Sequence, residues 1–325
     1  MLLPRRVNRS WTLALLAMFV AMPACRQGEY PGREIELIIP FPPGGPADTA
    51  TRIIQPRLSE ILGVPVILVN KPGGGGSLGT DFVAKAKPDG YQLLATSNNS
   101  LTILPAMQPD LTYQPTDFAS IGTFMVDINV ITVRTNQPWK TLEELVDYAR
   151  KNPGKLNYGS GGVGTNSYFL IEMFKLAFGL DIAHVPFQGT GPLKNALLGG
   201  HVDFGGGGIA SLGPLIESGD ILPIVTTASQ RLPGFPNVPT TAEKGFPEAS
   251  LNAWIGLFVP AETPKAIVDK LSEALSNTMQ DPAVIVAVEK SGLLVDYRAP
   301  QDTRMLVETE HETVKKAIEK LGTLQ

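Results

Sequence analysis

Short apolar runs alternate with stretches of helical spacing along most of the chain. Ten runs read as strands: residues 35–41, 65–70, 91–96, 121–124, 129–133, 156–159, 182–186, 202–205, 221–227 and 253–259. They are rich in Ile, Val and Leu without strict alternation, which predicts parallel strands covered on both faces. Helical patterns lie between them. Thr141-Leu142-Glu143-Glu144 is a capping box that opens a helix to about Lys151, with Leu145, Val146 and Ala149 on one side. Pro264 reads as a first helical position after Thr263, and Ile267, Val268, Leu271, Leu275 and Met279 repeat behind it at helix spacing. Residues 300–321 read as one more, polar helix. This alternation predicts a doubly wound α/β architecture.

The N-terminus departs from the pattern. Arg5, Arg6 and Arg9 precede an apolar run from Trp11 to Met22, too short for a membrane span and of the length of an export signal. A small-residue exit, Ala21-Met22-Pro23-Ala24, leads to Cys25. Residues 1–24 are therefore expected to be removed on export, placing the protein outside the cytoplasm. The position of Cys25 resembles a lipoprotein cleavage site, with Cys25 as the lipidated first residue and a membrane anchor. Met22 and Pro23 depart from the usual aliphatic and small residues there, so plain cleavage near Ala24 is the alternative. Cys25 is the only cysteine, which excludes a disulfide within the chain.

The chain has 325 residues, 43% hydrophobic and 18% charged, enough for two globular lobes. Its formal charge is −4, and loss of the leader removes three arginines and no acid. An acidic surface without Lys/Arg clusters excludes nucleic acid as a partner.

Glycine marks the candidate chemistry. Five loops are expected between a strand and a helix: residues 40–45, 72–77, 159–165, 187–191 and 205–208. In an α/β sheet such loops gather at the carboxyl ends of strands, where ligands bind. The following helices offer N–H groups and the positive end of their dipoles. None of the five loops contains Lys or Arg, so an anion there would be held by main-chain amides and hydroxyls. Gly74 to Gly79 and Gly159 to Gly164 each fit G-x-G-x-x-G, but the first lacks the acid that holds a ribose and an exported protein rarely meets a dinucleotide. Gly75-Gly76-Ser77-Leu78-Gly79 fits the hydrolase elbow G-x-S-x-G. Its base would have to be His184, His201 or His311, the only histidines. His184 lies inside a strand, His201 at a turn and His311 in a charged, solvated run, so no convincing base serves Ser77. There is no histidine or cysteine cluster for a metal, and no cofactor is expected.

At these loops the sequence resembles the periplasmic receptors of tripartite tricarboxylate transporters, the Bug or TctC-like solute-binding proteins. The matching stretches are Pro40-Phe41-Pro42-Pro43-Gly44-Gly45-Pro46-Ala47-Asp48, Asn70-Lys71-Pro72-Gly73-Gly74-Gly75-Gly76, Lys87-Pro88-Asp89-Gly90-Tyr91, Asn152-Pro153-Gly154-Lys155, Asn157-Tyr158-Gly159-Ser160, His184-Val185-Pro186-Phe187-Gln188-Gly189 and Val238-Pro239-Thr240-Thr241-Ala242-Glu243. The resemblance implies a type II periplasmic-binding fold, with two doubly wound lobes joined by two crossing strands and closing on the ligand. Lobe one would comprise residues 30–125 and 249–325, and lobe two residues 126–248. It further implies a receptor, not an enzyme, that hands a small organic acid to membrane permease subunits. An input module for a sensor and a Ser77 esterase are the alternatives. In lobe one the implied ligand residues are Phe41, Pro42, Pro43, Gly44, Gly45, Asp48, Ser97 and Asn98. In lobe two they are Ser160, Gly161, Gly164, Thr165, Asn166, Ser167, Phe187, Gly189, Thr190 and Gly207. Asp48 is expected to cap the helix after Pro46 or to organise its loop. The chain departs from the family pattern at Tyr168, where histidine is common, at Gly207-Gly208, where Asp-Asn is common, and at Thr165 and Asn166, which replace serines.

Overall fold

The computed structural model describes residues 30–322. The expected leader and Cys25 lie outside them. The chain opens with β1 (Ile35–Ile39), α1 (Pro46–Leu62), β2 (Val66–Asn70), α2 (Ser77–Ala84) and β3 (Gln92–Ser97). A π-helical turn at Asn99–Ile103 and α3 (Leu104–Met107) lead to β4 (Phe118–Asp127). Then come β5 (Asn129–Arg134), α4 (Leu142–Lys151), β6 (Asn157–Ser160), α5 (Asn166–Phe178) and β7 (Ala183–Pro186). They are followed by α6 (Thr190–Gly199), β8 (Phe204–Gly208), α7 (Ile209–Glu217) and β9 (Ile221–Thr226). The last elements are β10 (Ala253–Pro260), α8 (Lys265–Met279), α9 (Pro282–Lys290), β11 (Leu294–Arg298) and α10 (Pro300–Gly322).

The strands form two sheets, ordered β11-β4-β10-β3-β1-β2 and β7-β6-β8-β5-β9. Pairs within β1–β3 and within β6–β8 are parallel. Every pair involving β4, β5 or β10 is antiparallel. The expectation of parallel strands throughout therefore fails where the chain changes sheets. Burial on both faces makes a strand uniformly apolar but says nothing of its direction. Ile128 alone separates β4 in the first sheet from β5 in the second. The return runs from the end of β9 to β10. The two crossings are tied together, Asn129 N–H donating to Thr227 Oγ1 and Thr227 N–H to the Asn129 carbonyl, each at 2.9 Å.

Local signals explain most elements. The Thr141–Glu144 capping box forms as read, each side chain accepting from the other's amide. Helix α1 buries Ala47, Ala50, Ile54, Leu58 and Leu62 along one stripe and ends at Gly63, whose φ of +71° favours glycine. Pro264 proves to precede α8 as its cap instead of opening it. Strand β11 escaped the pattern because it is an edge strand with Leu294 and Val295 exposed.

The glycine run 205–208 is a second correction. It is not a loop but strand β8, pairing residue by residue with β5 from Gly208↔Asn129 to Gly205↔Thr132. Side chains of the covering helices occupy the space a Cβ would need: Leu193 above Gly205, Ile171 above Gly206 and Leu212 above Gly207. Glycine here lets α5, α6 and α7 approach the sheet closely. Among the described residues no helix is long and apolar enough to cross a membrane.

Candidate functional site

Four glycine loops stand where expected, leading from β1 into α1, β2 into α2, β6 into α5 and β7 into α6. The loop after β1 is braced by one buried carboxylate. Asp48 accepts from Gly44 N–H at 2.9 Å, from Arg52 Nε and Nη2 at 2.8 and 3.0 Å, and from Asn70 Nδ2 at 3.0 Å. Asn70 also donates to the Phe41 carbonyl. Burial alone would raise the Asp48 pKa, but the bonds from Arg52, Gly44 and Asn70 outweigh it and hold the carboxyl below its usual range. Asp48 thus organises the loop, and no side chain caps α1, whose N-cap is Gly45. Pro42, Pro43 and Gly44 are exposed, while Phe41 packs against Gly76.

The loop after β6 is braced by hydroxyls. Ser160 Oγ lies 2.8 Å from His184 Nε2 and accepts from Gly162 N–H. Ser167 Oγ accepts from Gly161 N–H, and Thr165 caps α5 by accepting from Tyr168 N–H. His184 is stacked on Tyr158 and adjoins Tyr168, ring centroids 4.7 and 4.9 Å away. Burial pulls its pKa down, partly offset by Glu172, so the imidazole is neutral at pH 7. The serine–histidine pair of this fold is therefore Ser160–His184, with Ser160 wholly buried. Ser77 is not part of it. His311, expected to be solvated, is half-buried and reaches the Thr102 carbonyl at 3.0 Å.

The third loop joins the second. Phe187 N–H donates to the Ser160 carbonyl and Gly189 N–H to the Gly161 carbonyl. Gly189 has φ of +100°, and a Cβ on it would meet nothing within 4 Å. The Thr190 methyl packs over Gly207. Ser160, Gly161, Ser167, Gly189, Thr190 and Gly207 are thus brought together at one end of the second sheet. Ser97 ends β3, half-buried. Asn98 and Asn166 meet across the two sheets in a reciprocal amide pair, at 2.8 and 2.9 Å. Leu104 carries the contact further, lying against both Gly75 and Gly164.

The sequence did not single out Asp127. This buried residue ends β4, yet its carboxylate lies at the start of α7 and accepts from Ala210 N–H at 3.1 Å. A Cβ on Gly208 would sit 1.8 Å from Asp127 Oδ2. Asp127 therefore fills the space that a side chain at 208 would need. Burial pushes its pKa up to about 7, against the bonds from Ala210 and Ile209. A pocket of about 380 Å³ opens at the crossings, lined by Val126, Asn252, Trp254, Leu294, Arg298 and Glu310 among others, and by none of the glycine loops. No group of three or more His, Cys, Asp or Glu is placed to hold a metal among the described residues.

Known proteins share this fold. Protein BugT of Bordetella pertussis is 30% identical over 311 residues, 94% of this chain and 95% of the relative. The structure of MatC from Rhodopseudomonas palustris with bound malate has a TM-score of 0.80 at 33% identity, covering 89% of this chain and all of that one. An R. palustris protein solved with adipate gives 0.80 at 29% identity, covering 90% and 98%. The family described as tripartite tricarboxylate transporter family receptor matches residues 50–323, and the chain belongs to that family of solute-binding proteins, with their two-lobed periplasmic-binding fold.

Proposed function

We propose that the protein is a periplasmic receptor that captures a small organic acid carrying at least one carboxylate and delivers it to membrane permease subunits. One observation carries this reading. Helices α1 and α2 of the first sheet and α6 of the second begin at glycines without any side-chain cap, whereas α5 is capped by Thr165 and α7 receives Asp127. The positive ends of α1 and α6 suit a ligand anion, and no lysine or arginine in the loops competes for it. Relatives solved with malate and adipate support the choice of a carboxylate. The lobes, residues 30–125 with 249–325 and residues 126–248, would close on the ligand by bending at the two crossings. Export, and either a lipid anchor at Cys25 or a free N-terminus, belong to the same reading.

Calorimetry against mono-, di- and tricarboxylates, malate and adipate included, tests it. One site per chain is expected, and ligand at a hundred times Kd should stabilise the fold by about 2.7 kcal/mol. Heat with neutral amides or aromatics and none with any carboxylate would overturn it.

A further inference from the structure

The C-terminal helix reads as polar, yet one face of α10 is buried: Thr303, Val307, Glu310, Val314 and Ala317. Their steps of four and three residues are those of a single helix face. Val307 packs with Leu101 and Trp254 against the first sheet. Val314 and Ala317 join the core of the second, with Ile103, Phe169 and Phe246. The helix thus belongs to both cores, and Glu310 lies between its two contacts.

The Glu310 carboxylate is 7% exposed and is met by neutral donors. Oε1 accepts from Thr102 Oγ1 at 2.6 Å and from Asn98 Nδ2 at 2.8 Å, and Oε2 accepts from Trp254 Nε1 at 2.9 Å. Burial raises its pKa, while these bonds and the charge of Arg298 act the other way. An apolar residue would continue the stripe without the desolvation cost of a carboxylate. What the carboxylate adds is direction. Asn98 Nδ2 has two hydrogens and three acceptors within 3.0 Å: Glu310 Oε1, Asn166 Oδ1 and the Asn252 carbonyl. The orientation of the Asn98 amide, and so its pairing with Asn166, depends on where Glu310 stands.

We propose that Glu310 is a positioning residue for the candidate site: through Asn98 it holds the Asn98–Asn166 pair, and with it the two sheets, in the arrangement that shapes the space between them. Only the affinity part of the test rests on the carboxylate reading. In a Cys25→Ser chain carrying Glu60→Cys on α1 and Lys151→Cys on α4, spin labels report the distance between the sheets without ligand. Glu310→Gln puts an amide donor among donors, so the distance distribution should broaden or lengthen. A folded Glu310→Gln protein with the wild-type distribution overturns the proposal. If that variant does not fold, Asn166→Ala, which leaves the three Glu310 bonds in place, should broaden the distribution in its stead, and an unchanged one is equally fatal. With malate as probe, Glu310→Gln should weaken binding about tenfold, but less than about twofold in an Asn98→Ala background, because residues acting through one another are not additive. An undiminished further loss in that background would mean Glu310 acts independently of Asn98. Absence of malate binding by the wild-type protein would leave the ligand reading to the other carboxylates and this proposal to the distances, which alone can overturn it.

Discussion

After β1 the chain turns through Phe41–Gly45 and is held by a charge: the Asp48 carboxylate, paired with Arg52 and bonded to Gly44 and Asn70. After β6 it turns through Gly161–Gly164 and is held by neutral hydroxyls, those of Ser160, Thr165 and Ser167. The difference decides what is left for a ligand. A carboxylate at the third residue of α1 braces the turn before it and leaves the start of the helix uncapped. The hydroxyl of Thr165 braces its turn by capping α5. The second sheet therefore presents its uncapped helix start one loop further on, at α6. Two equivalent strand-to-helix junctions are thus braced differently and differ in the anion-binding capacity that remains.

An effect as large as any should come from removing the charge. Asp48→Ala leaves Gly44 N–H, Asn70 and Arg52 without their acceptor. Because Arg52 is half exposed, water recovers part of the loss, and a cost of about 1–3 kcal/mol is expected. Urea unfolding measures the stability, and calorimetry with the tightest-binding carboxylate measures the site. Both should fall together. Unchanged stability with lost binding would move Asp48 from bracing the loop to touching the ligand.

A second comparison concerns α7, whose start is met by Asp127 from the other sheet. Gly208→Ala would drive a Cβ into that carboxylate and should cost about 1–3 kcal/mol, as overpacking does. Asp127→Ala in the same chain should recover part of it, and strict additivity of the two would deny the contact. Protonation offers a milder probe. An aspartate carboxyl ordinarily titrates at 3.8, and burial lifts that of Asp127 to about 7 in the fold. Between those values the folded state holds the proton that the unfolded chain has released, so stability declines as pH rises through the interval. The contribution is fully present below about pH 4 and gone above about pH 7. Asp127→Asn keeps an acceptor for Ala210 N–H and should flatten the decline by up to about 1.4 kcal/mol per pH unit. Glu310 is shifted the same way but is common to both proteins, so it cancels in the difference. Parallel unfolding curves for the two proteins from pH 4 to 7 would show that Asp127 does not titrate there.

What was legible in the sequence was local. Thr141 and Glu144 are three residues apart, and their reciprocal cap could be read directly. Pro42, Pro43 and the glycines beside them marked loops for the same reason. Gly205–Gly208 misled because glycine disfavours strands by propensity, and only the helices packed above them explain its presence. Asp127 and Glu310 act on partners 83 and 212 residues away, a separation at which no spacing rule operates. Glu310 did leave a trace, since the buried face at 303, 307, 310, 314 and 317 repeats at helix spacing. A single acid in such a stripe reads as an interruption until its neighbours in space are known.

The smallest effect should come from the hydroxyl side of the first comparison. Thr165 Oγ1 accepts from Tyr168 N–H at 3.3 Å and donates to the Gly162 carbonyl at 2.7 Å. Thr165→Ala removes the cap and one tether of the loop and should cost about 1 kcal/mol. Thr165→Ser keeps the hydroxyl and should lie close to wild type in stability. Asn166→Ala added to Thr165→Ala removes the contact with Asn98 as well. If this loop shapes selectivity, the double variant should lose more binding free energy than folding free energy, because a site built to hydrogen-bond a ligand oxygen depends on each group it presents. The deciding measurement pairs the carboxylate affinity with the urea midpoint in one preparation. Affinity within twofold of wild type would make the Ser160–Ser167 loop a scaffold, and would shift selectivity to the charge-braced loop at Phe41–Gly45 and to the start of α6.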